Sequence, residues 1–405
     1  MNRLQHASQE TEGGEQYFQV AAVALLSVVY MFSPLVSYMG ALLFLTIFSS
    51  RLSTRMRVAA GVIVILSGAS IWASRLVGRS ESDDFAWYYE IYNPIDTMPW
   101  TDKIPVYEVG LPLLIKIIRV ALPGLTPNGL IFVLTTVTGL ILLFCVERFG
   151  LRDFPTEKRA YCVAMVFLFF SFVLTTQLTR QMLSSVILVT VFFSLKPAAN
   201  RLSLLLASVF HLSAVPVYAV VRMLQGRLLL LWFVLVSVVV LVRLVGTVGV
   251  ASFVAGYGVP RVGYYFTSMD TGANQASFVI VLAVALAGLT SLLALKAANA
   301  QISSQEKRTV VVLVGVLVVY LSTLELTLAP FRLFLVIHAV LAGWFFAYLT
   351  RRLSSPWLAV GGAALIIVRA WSLYFLDPAR AFLPWEVYGP FGAFPGYFVF
   401  SYLTS

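Results

Sequence analysis

The sequence has little charge: Asp, Glu, Lys and Arg make up 11% of its 405 residues, whereas 60% are apolar. Soluble domains carry about a quarter charged residues, so an ordinary cytosolic or secreted globular protein is excluded. The chain has only two cysteines, Cys145 and Cys162, and they flank a basic loop, so a disulfide framework is not implied. The same composition excludes intrinsically disordered and fibrous proteins.

Motifs that bind nucleotides or metals are also absent. There is no GxxxxGK[ST] phosphate loop, no GxGxxG after a strand, no HExxH and no DxD. Nucleotide hydrolysis and a nucleotide-sugar donor are therefore disfavoured. The histidines have no HxxxH spacing or cysteine partner, so we predict no metal site and no cofactor.

What the sequence does have is a series of apolar runs. The mean hydropathy is +0.90, and long apolar segments recur along most of the chain. They predict an all-α, polytopic membrane protein with about 11–13 transmembrane or re-entrant helices. The first run is interrupted at Pro34 and is either one tilted span or two short ones. The runs lie at 17–50, 57–75, 128–146, 160–178, 181–195, 202–221, 228–247, 277–296, 309–328, 331–350 and 356–375.

The charges predict how the chain is organised. Residues 1–16 are polar and lack the basic start of a signal peptide, so we expect a disordered tail before a single membrane domain at 17–405. The net charge of +10 comes largely from Arg and Lys in short gaps between apolar runs, where cytoplasmic loops belong. We therefore expect no nucleic-acid partner.

The segments 76–127, 248–276 and 376–405 are predicted to lie on the outer face.

One segment does not fit a simple count of spans. If 202–221 crossed the membrane, seven later Arg and Lys residues would lie outside. We therefore predict that 202–221 enters and leaves on one face, with His211 near the tip and Pro216 assisting the bend. Such backbone must be buried in protein or line a wet cavity.

Two outer-loop carboxylates are candidate catalytic groups. Asp84, Tyr88 and Tyr92 are spaced four apart, so they share one face of a short helix. A carboxylate in low-dielectric surroundings can act as a general base, although a helix-capping acidic loop gives the same spacing. Glu108 opens an amphipathic stretch with Lys116 and Arg119 on its polar side, which is typical of a helix at the membrane interface.

Cations and polar residues beside the spans are candidate substrate groups. An arginine near hydrocarbon is costly and therefore indicates a function, and its planar guanidinium group can bind two phosphate oxygens at once. Arg180 is therefore a candidate phosphate-binding residue, and Gln181 beside it is a candidate substrate-binding residue. A snorkelling arginine is the alternative. His211 is either a cavity-facing group or a buried core histidine. The remaining candidates are Arg261 in an external loop rich in glycine and aromatics, and Glu325 and Arg332, which neutralise each other or add to a phosphate clamp.

In this order, these residues resemble the EpsG family of bacterial polysaccharide polymerases, relatives of the Wzy-type enzymes. The matching features are D-x3-Y-x3-Y at Asp84, E-x-G-L-x-L-L from Glu108, the pair at 180–181, F-H-x-S-A at 210–214 and R-x-x-x-V from Arg332, over roughly 60–390. Leu111 replaces an expected aromatic residue, and aliphatic residues replace a tyrosine expected after Arg332.

The resemblance implies a glycosyltransferase that polymerises undecaprenyl-diphosphate-linked oligosaccharides, with its active site at the periplasmic face of the inner membrane. We expect it to need no metal ion if the cationic side chains converge on the diphosphate. It implies exopolysaccharide, capsule or O-antigen as product and a likeness to GT-C membrane enzymes. Asp84 or Glu108 would be the base, Arg180 and His211 would act with them, and Tyr88, Tyr92, Gln181, Arg261, Glu325 and Arg332 would bind substrate. Expected partners are membrane lipid, a chain-length regulator and other assembly proteins. The alternatives are an O-antigen ligase and a lipid-linked oligosaccharide flippase or transporter.

Overall fold

The structure, a computed structural model, describes residues 2–74, 84–93, 108–193, 197–215, 217–218, 271–323 and 334–371, with isolated residues between 233 and 240. Every regular element in these ranges is a helix, and none of them contains a strand. Among these helices, six shorter apolar ones accompany four that are long and apolar enough to cross a membrane. The four are Gly14–Phe32, Thr54–Ala73, Pro127–Gly150 and Phe278–Ala297. The chain is an all-α polytopic membrane protein, which confirms the prediction from hydropathy.

The chain divides into two compact units, and the single membrane domain expected at 17–405 stays a prediction. The first unit comprises residues 1–179 and 353–405, and the second comprises 180–352.

The first unit contains eight helices before residue 179 and one after residue 353 in the described ranges. They are α1 (Asn2–Phe32), α2 (Pro34–Ile47), α3 (Thr54–Ala73), α4 (Asp84–Tyr92), α5 (Gly110–Ala121), α6 (Pro127–Cys145), α7 (Arg159–Phe169), α8 (Phe172–Gln177) and, last in the chain, α14 (Ser355–Trp371). A π-helical turn, Val146–Gly150, continues α6.

The apolar run 17–50 is two helices that fold back on each other. Pro34 stands in the first turn of α2, and the Ser33 hydroxyl caps that helix by accepting from the Val36 amide at 3.2 Å. The Ser37 hydroxyl donates to the Leu26 carbonyl at 3.0 Å, which joins α2 to α1. Proline in the first turn and a serine cap are a strong start signal, so the choice left open by the sequence is settled as two helices.

Residues 2–16, in the segment where we expected a disordered tail, form the first part of α1, which begins at Asn2. Extending an existing helix adds one hydrogen bond for each residue fixed, and the apolar part of α1 supplies the nucleus. The same helix is held by Gln19, whose amide donates to the Arg51 carbonyl at 2.8 Å and accepts from the Ser53 amide at 3.3 Å.

Glycines let the helices of the first unit approach closely. A Cβ on Gly68 of α3 would lie 2.7 Å from the Phe172 ring, and one on Gly139 of α6 would lie 2.7 Å from Cγ2 of Ile65. In α14, a Cβ on Gly362 would lie 2.5 Å from Cγ2 of Thr46. Small residues at helix contacts are the usual device of membrane bundles, because van der Waals packing replaces the hydrophobic effect there.

We predict that Gly362→Ala destabilises the first unit by about 1–3 kcal/mol, the usual cost of overpacking. Thr46 cannot rotate away freely, since its hydroxyl donates to the Leu42 carbonyl at 2.8 Å. Gly361→Ala, on the same helix, meets nothing within 4 Å and is the matched control. Thermal unfolding in detergent should show a lower midpoint for Gly362→Ala only. Equal midpoints for the two variants would contradict this packing.

The two ends of α3 have different partners. At its start, Arg57 Nε and Nη2 donate to Glu147 Oε1 and Oε2, both at 2.7 Å, and the Arg57 side chain is 4% exposed. At its other end, the Asn128 amide donates to the Ala73 carbonyl. The basic loops predicted to share the inner face therefore meet at one end of α3, and the start of α6 lies at the other.

The apolar run 160–178 is broken, where we expected one continuous segment. α7 ends at Phe169, Phe170 is extended (ψ 125°), and the Ser171 hydroxyl accepts from the Leu174 amide at 3.4 Å to start α8. The Phe170 and Phe172 rings pack edge to face at 4.9 Å, and Phe172 also meets the ring of Tyr38 at 6.1 Å. Aromatic packing around the break supports the change of chain direction.

The second unit contains five helices in the part of the chain that is described. They are α9 (Thr179–Phe193), which starts at the boundary, α10 (Pro197–Phe210), α11 (Thr271–Ala297), α12 (Ser304–Thr323) and α13 (Ala342–Thr350). A π-helical turn, Val336–Leu341, leads into α13. Phe192 packs edge to face on Trp344 at 5.5 Å, and the Ser291 hydroxyl donates to the Leu349 carbonyl at 2.6 Å.

A buried carboxylate fixes the start of α12. Glu306 Oε2 accepts from the Ser303 amide at 2.9 Å, and the Ser303 hydroxyl accepts from the Glu306 amide at 3.2 Å, which is a capping box. Glu306 Oε1 lies 3.0 Å from Nη2 of Arg351 and 3.0 Å from Nε of Arg352. One carboxylate thus ties the start of α12 to the end of α13.

Candidate functional site

The first cluster of candidates lies on α4 of the first unit. Asp84 begins this helix, and Tyr88 and Tyr92 follow at one and two helical turns, as the spacing predicts. Tyr88 is 1% exposed and meets the Phe85 ring edge to face at 6.0 Å. The Tyr88 ring is thus packed inside the first unit.

Tyr92 joins α4 to the loop between α5 and α6. Its hydroxyl donates to the Leu122 carbonyl and accepts from the Leu125 amide at 2.8 Å. Tyr89, stacked on Tyr92 at 5.8 Å, donates to the Leu125 carbonyl at 3.0 Å. Burial, assisted by the neighbouring Tyr92 phenol, raises the pKa of Tyr89, so this hydroxyl stays a donor. The two tyrosines hold a loop whose turn contains Gly124 at φ +82°.

Tyr89 was not among the predicted site residues, although it lies only three residues before Tyr92. Residues three apart are neighbours on a helix surface, and here the two rings bind the same loop. The sequence contains no pattern that identifies Leu122 and Leu125 as partners, because Tyr92 and Tyr89 contact their backbone atoms.

We predict that Tyr92→Phe loosens this loop without unfolding the chain. Loss of the hydroxyl leaves the buried Leu125 amide without this partner, at about 1–3 kcal/mol, and costs less at the partly exposed Leu122 carbonyl. Hydrogen exchange at Leu125 should therefore become about tenfold faster or more. Tyr89→Phe, which removes one bond to the same loop, should leave the Leu125 amide near its native rate. An unchanged rate in Tyr92→Phe would contradict the hydrogen bonds described.

The second carboxylate, Glu108, lies directly before α5. It is 4% exposed, and Val109 is the capping residue between it and the helix. A carboxylate at this place is favoured by the positive end of the helix dipole. Because α4 packs on α5, the structure brings together the helix that carries Asp84 and the helix that follows Glu108.

Arg180 and Gln181 lie in the first turn of α9, where the chain starts again after the short helix α8. Gln181 is buried and Arg180 is half-buried. The interruption at Leu178 gives α9 its own N-terminus, and the amide groups there add positive potential beside the guanidinium. This arrangement suits a bound anion such as a phosphate.

His211 follows the last residue of α10, Phe210. Its Nδ1 accepts from the Ser213 amide at 3.1 Å, and its carbonyl accepts from the Ala214 amide at 3.0 Å in a turn. The chain therefore breaks at the residue predicted to be the tip of the 202–221 segment. Pro216 and the predicted return of the chain lie outside the described residues. Because Nδ1 is an acceptor, Nε2 is the ring nitrogen that carries the proton and can donate to an oxyanion.

Three predicted substrate residues, Arg261, Glu325 and Arg332, lie outside the described residues, as does the outer segment 376–405. Within the described ranges, no group of three or more His, Cys, Asp or Glu side chains is arranged to hold a metal ion. The metal-independent reaction stays a prediction.

A buried polar pair that the sequence pattern does not reveal lies in the second unit. The Tyr320 hydroxyl is 2.9 Å from Nδ1 of His338, and both side chains are buried. They are 18 residues apart and come from α12 and the π-helical turn, so no spacing rule connects them.

The comparison with known families decides the assignment. Residues 58–329 match the sequence model described as the EpsG family. The chain belongs to the EpsG family. The match contains Asp84, Glu108, Arg180 and His211 and ends just before Arg332, whereas the motifs had suggested a similarity to about residue 390. No curated protein and no solved structure gives a significant match.

Membership in the EpsG family supports a polysaccharide polymerase-type role for this multi-pass membrane protein. It supports a glycosyltransferase-like reaction in general terms.

Proposed function

We propose that this EpsG-family chain joins lipid-linked oligosaccharide repeat units into a polysaccharide. The growing glycan is transferred from undecaprenyl diphosphate to the next repeat unit, at the outer, periplasmic face of the bacterial inner membrane. The observation that carries this proposal is the family match over 58–329, a range that includes the candidates Asp84, Glu108, Arg180 and His211. Exopolysaccharide, capsule or O-antigen is the product class.

The acceptor side of the reaction needs a base. As the acceptor hydroxyl oxygen attacks the anomeric carbon, its proton must leave, and a carboxylate within hydrogen-bond reach can take it. We assign this role to Asp84, with Glu108 as acceptor-binding group or as the base in its place. Burial of Glu108 supports a role at a defined position and not in a solvated loop.

The donor side needs positive charge. The bond from the anomeric carbon to the diphosphate oxygen breaks, and the diphosphate leaves with the electron pair and a growing negative charge. Arg180, at a helix start, supplies a fork of donors for phosphate oxygens, and His211 can add a donor at Nε2. Arg261 and Arg332 are proposed to add further charge. Fixed cations of this kind make a metal ion unnecessary.

The remaining candidates bind or position the sugar. We propose that Gln181 and Glu325 hydrogen-bond sugar hydroxyls and that Tyr88 shapes the pocket wall. For Tyr92, whose hydroxyl is engaged by the backbone of the 122–125 loop, the contacts support a positioning role for α4. We further propose a chain-length regulator among the partners.

The direct test is a polymerisation assay with purified chain, undecaprenyl-diphosphate-linked repeat units and EDTA, with the products separated by size. We expect a ladder of longer glycans in EDTA. A heat-unfolded sample is the control for non-enzymatic coupling. Unchanged repeat units, with substrate binding shown separately, would contradict the proposal. In a parallel assay with a lipid-linked core acceptor added, transfer of one block to that acceptor, without a ladder, would favour the ligase.

A flippase for the same lipid-linked oligosaccharide is the second candidate, because the helices of this chain are interrupted. Discontinuous helices at corresponding places are typical of transporters. The sequence indicated one such break, near His211, and the structure adds another between α7 and α9. Translocation in liposomes without glycan growth would favour this candidate.

A further inference from the structure

The helix α5 has three faces of different chemistry. Its buried face carries Leu111, Ile115 and Ile118, which pack inside the first unit. Its exposed face carries a second apolar stripe, Leu113, Ile117 and Val120, whose exposed fractions are 58%, 57% and 86%. At 100° per residue, this stripe lies on the side of the helix opposite to the buried face.

The edge between these two faces is basic. Lys116 and Arg119 are both exposed and are three residues apart, so they are neighbours on one edge. The helix, GLPLLIKIIRVA, has no acidic residue. No ion pair of either cation is found among the described residues, so their charge faces outward from the protein.

Length decides how such a helix meets a membrane. Twelve residues rise about 18 Å, whereas the hydrocarbon core is about 30 Å thick. α5 is therefore too short to span. A helix with an apolar outer stripe beside a basic edge suits the plane where acyl chains meet anionic headgroups.

We propose that α5 lies in the membrane interface and binds anionic phospholipid, with Leu113, Ile117 and Val120 among the acyl chains and Lys116 and Arg119 at the phosphates. This inference does not rest on the proposed polymerase activity. A lipid leaflet fits better than a protein partner, because the stripe is narrow and the adjoining charge is of one sign. Because Tyr92 binds the loop that follows α5, this placement would also fix α4, which begins at Asp84, relative to the membrane surface.

The depth of α5 is measurable with the full-length chain in nanodiscs. A fluorescent label on Ile117→Cys is quenched by phospholipids that carry a nitroxide near the headgroup or near the end of the acyl chain. Cys145 and Cys162 are buried, and labelling of the native chain provides the blank. Leu286→Cys, exposed in the middle of the span Phe278–Ala297, is the bilayer-centre reference, and Asp153→Cys, in an exposed turn, is the water reference.

We expect the label at Ile117 to be quenched more by the shallow nitroxide than by the deep one, and the label at Leu286 to show the reverse order. Quenching of Ile117 by aqueous iodide as strong as that of Asp153 would overturn the proposal. Deep quenching equal to that of Leu286 would overturn it too, because α5 would then lie in the bilayer core.

The charge selectivity is measured with shallow nitroxides on phosphatidylglycerol and on phosphatidylcholine. We expect the anionic lipid to be enriched around Ile117 by up to about fivefold for each cation at low salt. Added salt should reduce this preference. The double variant Lys116→Gln/Arg119→Gln should remove it, whereas Arg55→Gln/Arg201→Gln, which neutralises two exposed cations elsewhere, should not. Equal quenching by both lipids in the native chain would overturn the assignment of the basic edge.

Discussion

Asp84→Asn is expected to lower the rate of polymerisation by about 10²–10⁴-fold, the usual contribution of a general base. The substitution keeps the size of the side chain and removes the charge that accepts the proton. Turnover should fall more than apparent substrate affinity, because the proton moves only in the transition state. The measurement is the initial rate of glycan growth with purified variants at saturating repeat unit.

Two further variants make this result specific. Glu90→Gln, on the exposed side of the same helix, removes a carboxylate from α4 and should retain the native rate. Glu108→Gln decides which carboxylate is the base. A native rate in Asp84→Asn together with lost activity in Glu108→Gln would transfer the role to Glu108. Full activity in both variants would contradict the mechanism.

The pH dependence gives an independent check of the same role. A base works only when ionised, so the native rate should fall as the pH drops through the pKa of the acting carboxylate. In the variant that lacks the base, the residual rate should no longer fall at acid pH. Replacing a carboxylate with only a structural role would lower the rate at every pH but keep the fall at acid pH.

The long helices could be predicted because their sequences contain both a hydropathy signal and a start signal. The runs 57–75 and 128–146 correspond to α3 and α6 within a few residues. In each helix a hydroxyl caps the first turn: Ser53 accepts from the Met56 amide, and Thr126 accepts from the Gly129 amide. Pro127 adds a preference for the first turn of α6.

The break between α7 and α9 could not be predicted, because the apolar run there contains neither proline nor glycine. Hydropathy measures how long a segment is apolar, not whether its backbone stays helical. At the break, the Phe172 ring packs on Tyr38 of α2, a contact between residues far apart in the sequence. This break matters for the candidate site, since it gives Arg180 its place at the start of a helix.

The candidate site on α4 was partly predictable for the same reason. The spacing of Asp84, Tyr88 and Tyr92 predicts a shared helical face, and α4 spans those residues. The spacing could not show that Tyr92 binds backbone atoms some thirty residues later, because every residue offers the same carbonyl and amide. A contact from a side chain to backbone atoms therefore leaves no trace in the residue type of its partner.

Arg180→Ala is expected to lower polymerisation by about 10²–10³-fold, as when one preorganised charge donor is lost. The loss should appear mainly in turnover if the guanidinium meets charge that develops on the leaving diphosphate. Arg180→Lys should recover only part of the rate, since an ammonium ion cannot donate as a planar fork. Added guanidinium ion should restore part of the activity of the alanine variant, which tests the chemistry at that position directly.

Arg201→Ala is the matched control for Arg180, because it removes an exposed arginine from the neighbouring helix α10 of the same unit. It should retain the native rate and the native thermal midpoint. If Arg180→Ala polymerised at the native rate, Arg180 would be a snorkelling arginine and the diphosphate would need another cation. If it lost activity together with its thermal midpoint, and guanidinium restored neither, the arginine would hold the fold and not the leaving group. Only a folded variant with lost turnover and guanidinium rescue places Arg180 at the phosphate oxygens.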